Sequence, residues 1–163
     1  MTPLFLLVQE ITPRLITLVL AALPVSELRG AIPYAIVACG MSWQEAYIIA
    51  VIGNFIPVIP LLFLFESVSN YLMRYRLFNR FFTWLFERTR RKGRLIERFE
   101  AVGLVLFVAV PLPVTGAWTG CVAAFIFKVP LKYAIPAVLL GIMIAGTVVT
   151  LASLGVIQIW GIG

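Results

Sequence analysis

The sequence contains no histidine and only two cysteines, and 12% of its 163 residues are charged. Without histidine there is no Ser/His or Cys/His nucleophile set. A single carboxylate within the apolar segments leaves no second acid for acid–base or metal-assisted hydrolysis, so an enzyme is not expected. Cys39 and Cys121 each stand in apolar surroundings, with no histidine or further cysteine spaced to form a metal site. They read as packing residues, and neither metal nor cofactor is expected. The charged fraction is about half the roughly 25% usual in soluble domains.

What fills the chain instead is apolar: 62% hydrophobic residues and a mean hydropathy of +1.05. Uncharged runs cover residues 15–26, 30–44, 46–65, 101–127 and 133–163. About 20 apolar residues cross a bilayer, so at least two runs can span alone. The chain reads as an all-α integral membrane protein with the bilayer as its first partner, in the cell (plasma or inner) membrane and crossing it more than once. No basic residue precedes the first apolar stretch and Arg14 interrupts it, so the N-terminus is expected to be retained.

The formal net charge of +6 is not spread evenly. Arg74, Arg76, Arg80, Arg88, Arg90, Arg91, Lys92, Arg94 and Arg98 supply nine of the thirteen basic residues. Tyr71, Tyr75, Phe78, Phe82 and Leu85 recur among them at steps of three or four, with Phe81, Trp84 and Phe86 widening the stripe. That pattern predicts an amphipathic helix at the membrane interface, serving as a topological anchor or as a lipid-sensing gate. Basic residues beside spans mark the cytoplasmic side, and no nucleic-acid partner is expected.

One motif occurs twice. "LPVS" at 23–26 returns as "LPVT" at 112–115, and an apolar run with a glycine follows each, Gly53 in "VIGN" and Gly141 in "LLGI". Four matched residues can also arise by chance in so apolar a chain. Paired Pro/Gly-interrupted segments in matching positions are nonetheless the sequence sign of a transporter built from inverted repeats. The expected organisation is one membrane domain over 1–163: repeat 1 over about 11–66, the basic amphipathic segment over about 67–99, and repeat 2 over about 100–160.

Each repeat starts with a broken unit. Arms at 12–23 and 31–40, about 10 to 12 residues each, reach roughly 15 to 18 Å as helices, half of a ~30 Å hydrocarbon core. The same holds for 100–110 and 117–127. Re-entrant helical hairpins are expected, with Pro24, Pro33, Pro111 and Pro113 as the residues that break the helices. Spanning helices follow at 46–66 and 133–159. The alternative, one kinked span per unit, would place Lys128 and Lys132 outside, against the positive-inside bias; Arg14 points weakly the other way. In the hairpin arrangement both termini lie outside and the halves are inverted.

Glu27 and Arg29 are the only ionisable residues inside either broken unit, where charge costs about 2.5 to 3.5 kcal/mol unless paired or hydrated. Two readings stay open: a salt bridge that pins the tip, or a working substrate and proton site. In the second, Arg29 and the free amides of helix starts hold an anionic or polar group. Burial and Arg29 pull the Glu27 proton in opposite senses, so alternating conformations could bind and release it. Ser26 and Gly30 at the first tip, and Thr115, Gly116, Trp118, Thr119 and Gly120 at the second, complete the candidate site. Asn54 reads as a helix–helix polar contact.

"PVSELRGAIP", "VIGNFIPVIP" and "FVAVPLPVTGAWTG" resemble the signature blocks of the small multi-drug export protein family, in order and spacing over most of the chain. More distantly, the acidic-then-arginine hairpin is similar to DedA and SNARE-associated (VTT-domain) membrane proteins. Those relatives imply facing re-entrant hairpins, proton-dependent transport and, in some members, translocation of polyprenyl-phosphate or phospholipid carriers. Carried over by position, Glu27 and Arg29 match the acidic and basic residues of the first hairpin. The second hairpin departs from the DedA pattern, since "PLPVTGAWTG" holds no arginine.

The function expected is a proton-coupled transporter or exporter that moves a small amphipathic or anionic molecule, a lipid-phosphate among the candidates, through a mid-membrane site between the two tips. The alternative is a membrane accessory or assembly subunit that transports nothing. A thin bundle of this size needs cover for its broken helices, so a homo-oligomer, most simply a dimer, is expected.

Overall fold

A computed structural model of the chain describes residues 3–72, 93–110 and 115–160. The amphipathic helix expected between the halves, and the breaking prolines Pro111 and Pro113, lie outside the described residues. All described elements are helices. In order they are α1 (Pro3–Ala22), α2 (Glu27–Pro33) continued by a π-helical turn (Tyr34–Ala38), α3 (Trp43–Phe55), α4 (Val58–Leu72), α5 (Gly93–Ala109), α6 (Ala117–Ile126) and α7 (Leu131–Trp160).

The first arms are longer than the sequence suggests. α1 has 20 residues and α5 has 17, so α1 reaches about 30 Å, and the argument from short arms does not hold for it. The returning arms are short: seven plus five residues in α2 and its π turn, and ten in α6. At 1.5 Å per residue these cover only about 18 and 15 Å. α2 also begins at Glu27, four residues earlier than expected, so Glu27 and Arg29 lie in its first turn. Pro33 does not break the arm. It is the last residue of α2, and the helix widens around the missing donor into the π turn, where the Cys39 amide donates to the Tyr34 carbonyl at 3.2 Å.

The α3 start is written locally: Ser42 accepts the Glu45 amide through its side chain at 3.4 Å, half of an S-x-x-E capping box. Pro57 lacks the amide that would continue the ladder, and the helix is interrupted there; Pro60, in the first turn of α4, is tolerated because that turn has no ladder to lose. Across the interruption Trp43–Phe65 is apolar and long enough to cross a membrane, as is Leu131–Val156 in α7.

Packing is repeated between the halves. α1 lies on α3 and α5 lies on α7, while α2 reaches α7 and α6 reaches α4. The glycines that mark the sequence repeat do the same work in each. A Cβ on Gly53 would come within 2.5 Å of the Leu18 carbonyl oxygen and 2.9 Å of the Ala21 Cβ. One on Gly141 would come within 2.5 Å of the Val108 Cβ and 3.0 Å of the Val105 carbonyl oxygen. Both crossings therefore bring a helix backbone against a bare glycine, the close approach used where lipid removes the hydrophobic drive between helices.

The interior is built mainly of small side chains. Ala21, Ala31, Ala35, Ala46, Ala50, Ala117 and Ala134 are fully buried, while Leu15, Val19, Ile48, Ile52, Phe63, Leu106, Leu140 and Leu151 are exposed. So much exposed large apolar surface does not suit water; it suits hydrocarbon. Thr17, Thr147 and Ser153 each donate their hydroxyl to the carbonyl four residues back, which satisfies them without water. The molecule is an all-helical membrane protein.

Candidate functional site

The site is built where the chain turns. After α1 ends at Ala22, residues 23–26 form a turn containing Pro24, and the Glu27 amide donates to the Leu23 carbonyl at 2.9 Å. Glu27 then adopts φ 48°, a left-handed conformation costly for a residue with a Cβ. That backbone carries its side chain inward, where the residue is only 7% exposed.

The carboxylate meets the start of α6. Glu27 Oε1 accepts the Trp118 amide at 3.4 Å, and the Ala117 amide also faces it. These belong to the first turn of α6, whose amides have no partner within the helix, so Glu27 caps α6 at its positive end. Gly116 makes this possible, because a Cβ there would overlap the carboxylate. Arg29, in the first turn of α2, donates from Nη2 to Thr115 Oγ1 at 3.4 Å, and Thr115 Oγ1 donates to the Val110 carbonyl at 2.6 Å. Trp118 closes the other side, its Nε1 donating to the Ala22 carbonyl at 3.1 Å.

The structure thus brings together Glu27, Arg29, Thr115, Gly116 and Trp118. Ser26 and Gly30 turn towards each other instead: Gly30 is exposed, and a Cβ on it would overlap the Ser26 hydroxyl. Thr119 donates to the Gly116 carbonyl at 3.3 Å, one turn away from the carboxylate. Gly120 is a packing residue against Val108 and Val138. Asn54 is 1% exposed and its Oδ1 meets no hydrogen-bond donor among the described residues, so that atom makes no helix–helix bond. Among the described residues no cluster of metal-ligating side chains occurs.

Two features could not be read from sequence. The helix start expected to stand open for an anion is occupied by the chain's own carboxylate. Ala22, Ala117 and Val110 contribute only backbone atoms to the cluster, and backbone roles leave no mark in residue type.

Glu27 is also where a family likeness begins. The small multi-drug export protein family matches residues 27–148, from the first turn of α2 well into α7. The chain belongs to the small multi-drug export protein family. No curated protein and no solved structure matches it, and the more distant likeness to DedA proteins is not borne out. Within this family member the matched stretch takes in Glu27, Arg29, Thr115, Gly116 and Trp118, and begins just after the first turn at 23–26.

Proposed function

We propose that this protein is a proton-coupled transporter that moves a small anionic or amphipathic molecule through the polar cluster between its two turns. The observation that carries the reading is the buried Glu27 carboxylate held on the start of α6, beside Arg29, in a body whose outer surface is apolar. Ionisable groups placed in hydrocarbon are functional candidates by default, and membership of an export family gives the class.

The cluster suggests how coupling works. An entering anion needs the α6 amides and Arg29, and the Glu27 carboxylate already holds those amides. Protonation removes its negative charge and weakens that hold, so proton uptake at Glu27 and anion binding favour each other. Deprotonation returns the carboxylate to the amides and expels the anion.

Contacts within and between the halves support re-entrant hairpins in an inverted repeat. Arg14 pairs with Glu45 at 2.5 Å, and Thr17 lies 3.9 Å from the Met41 sulfur, so the chain leaving α2 comes back beside α1 where α3 starts. In the second half Gly103 and Leu104 share a groove with Phe127 and Val129, so α6 returns beside α5 likewise. Gly53 stands at the level of Ala21, and Val108 ties Gly141 to Gly120 near the second turn. Tyr47, six residues before Gly53, contacts Gly146, five residues after Gly141. At about 9 and 8 Å from the shared level, these two meet when α3 and α7 run in opposite directions. Run in the same direction they would be about 16 Å apart.

The test is transport by the purified protein in proteoliposomes, with and without a pH gradient, across anionic amphiphiles and lipophilic cations. Anion movement driven by the gradient is expected. No movement of any candidate would overturn the reading in favour of an accessory subunit. A reporter fused after Gly163 should lie outside; a cytoplasmic reporter would overturn the hairpins and leave kinked spans.

A further inference from the structure

Beside the polar cluster, between α5 and α6, lies an apolar groove of about 580 Å³, lined among others by Gly103, Leu104, Phe107, Thr119, Val122 and Ile126. Its volume falls within the roughly 300 to 1,000 Å³ of small-molecule sites. Thr119 is its one hydroxyl among these residues and its link to the cluster, since that hydroxyl donates to the carbonyl of Gly116 at 3.3 Å and Gly116 adjoins the Glu27 carboxylate. From there the groove runs along the length of α6 to Phe127 and Val129.

Gly103 sets the depth of the groove. A Cβ there would meet nothing within 4 Å, so no helix contact requires glycine, and within α5 glycine is less stable than alanine by about 1 kcal/mol. Gly53, Gly120 and Gly141 differ, because each is pressed by a neighbour. What the bare Gly103 does provide is open apolar space in a groove whose Thr119 end is hydrogen-bonded to Gly116 beside the charged site.

We propose that this groove is the tail subsite for a single-chain amphiphile with a small anionic head. The head lies at the α6 start and Arg29, and the hydrocarbon chain follows the groove outward. The proposal rests on the reading of the polar cluster as the transport site, and it names the substrate class that site serves. Apolar and polar ends of one molecule are then met by adjoining apolar and polar surfaces.

The test measures equilibrium binding of decanesulfonate and butanesulfonate to the full chain in nanodiscs, above partition into empty nanodiscs. Both heads keep their charge at all working pH, so only tail length differs. Wild type should bind decanesulfonate at least tenfold more tightly than butanesulfonate. Gly103→Leu sets a branched side chain across the groove and should erase that tenfold difference while leaving butanesulfonate binding unchanged. Gly103→Ala, which leaves most of the space, should retain most of it and shows that α5 tolerates a side chain. Arg29→Lys should weaken both probes by the same factor. Unchanged decanesulfonate binding in Gly103→Leu, an equal loss for both probes, or a change of oligomeric state in that variant overturns the groove proposal. Intact binding of both probes in Arg29→Lys overturns the polar-cluster reading and leaves the groove standing.

Discussion

The Glu27 carboxylate and Gly116 are in such close contact that one added methyl group on Gly116 would overlap it, although the two residues stand 89 positions apart. Nothing in either turn alone explains the other; the carboxylate needs a glycine opposite and a helix start to hold it.

Gly116→Ala should therefore destabilise the protein by about 1 to 3 kcal/mol through overpacking. Glu27→Ala in the same chain should remove most of that penalty, because the overlapping group is gone. Unfolding of both single variants and the double variant, compared as a cycle, checks this, and simple additivity would show that the two residues do not meet.

Glu27→Gln preserves shape and should insert and fold normally, but with transport that no longer responds to pH. Arg29→Lys keeps the charge and loses the planar fork, and should weaken apparent substrate affinity by about tenfold, or 1.4 kcal/mol. Rates measured from pH 5 to pH 9 separate the two effects. If both variants lose their fold while the charge-swapped Glu27→Arg, Arg29→Glu protein regains stability and full activity, the pair is a structural pin.

Lys128 occupies φ 54° at the end of α6. The Val129 amide donates to the Ala124 carbonyl at 2.9 Å and the Lys128 amide to the Phe125 carbonyl at 3.2 Å, the two bonds of a Schellman cap that glycine ordinarily completes. Lys128→Gly should stabilise the chain by about 1 kcal/mol and leave transport unchanged. Thermal unfolding in detergent reads the shift, and a lower midpoint would show that the lysine side chain matters more than its backbone.

Gly53→Val and Gly141→Val should each destabilise by about 1 to 3 kcal/mol, since the obstructing atoms are backbone carbonyls and branched carbons rather than flexible chain ends. Gly155→Ala, where a Cβ meets nothing within 4 Å, serves as the control and should stabilise by up to about 1 kcal/mol. If one of the two crossings tolerates valine, they are not equivalent and the repeat loses its structural meaning.

How much of this was legible in sequence differs by element. The spans were, because about 20 uncharged apolar residues admit few alternatives, and their starts differ from expectation by only two or three positions. Arm lengths were less so: α1 and α5 continue outward through polar residues that an apolar pattern does not count. Gly53 and Gly141 stood out as glycines within apolar runs, and the packing gives each a role, since both admit a crossing backbone. Asn54 was read as a helix–helix contact by its type, but its Oδ1 found no donor among the described residues, and residue type alone does not say what will stand opposite.

By itself the sequence determined the solvent and the candidates. A scarcity of charge forces the chain into lipid, and the same scarcity makes Glu27 and Arg29 conspicuous. Only the tertiary structure decided what those residues do with their neighbours. Glu27 finds its donors 90 and 91 positions away on backbone amides, and an amide is present at every residue except proline, so no pattern of side chains can announce which one a carboxylate will reach. That choice is made by the packing of α2, α6 and α7, through alanines and glycines whose small size carries no chemical signal of its own.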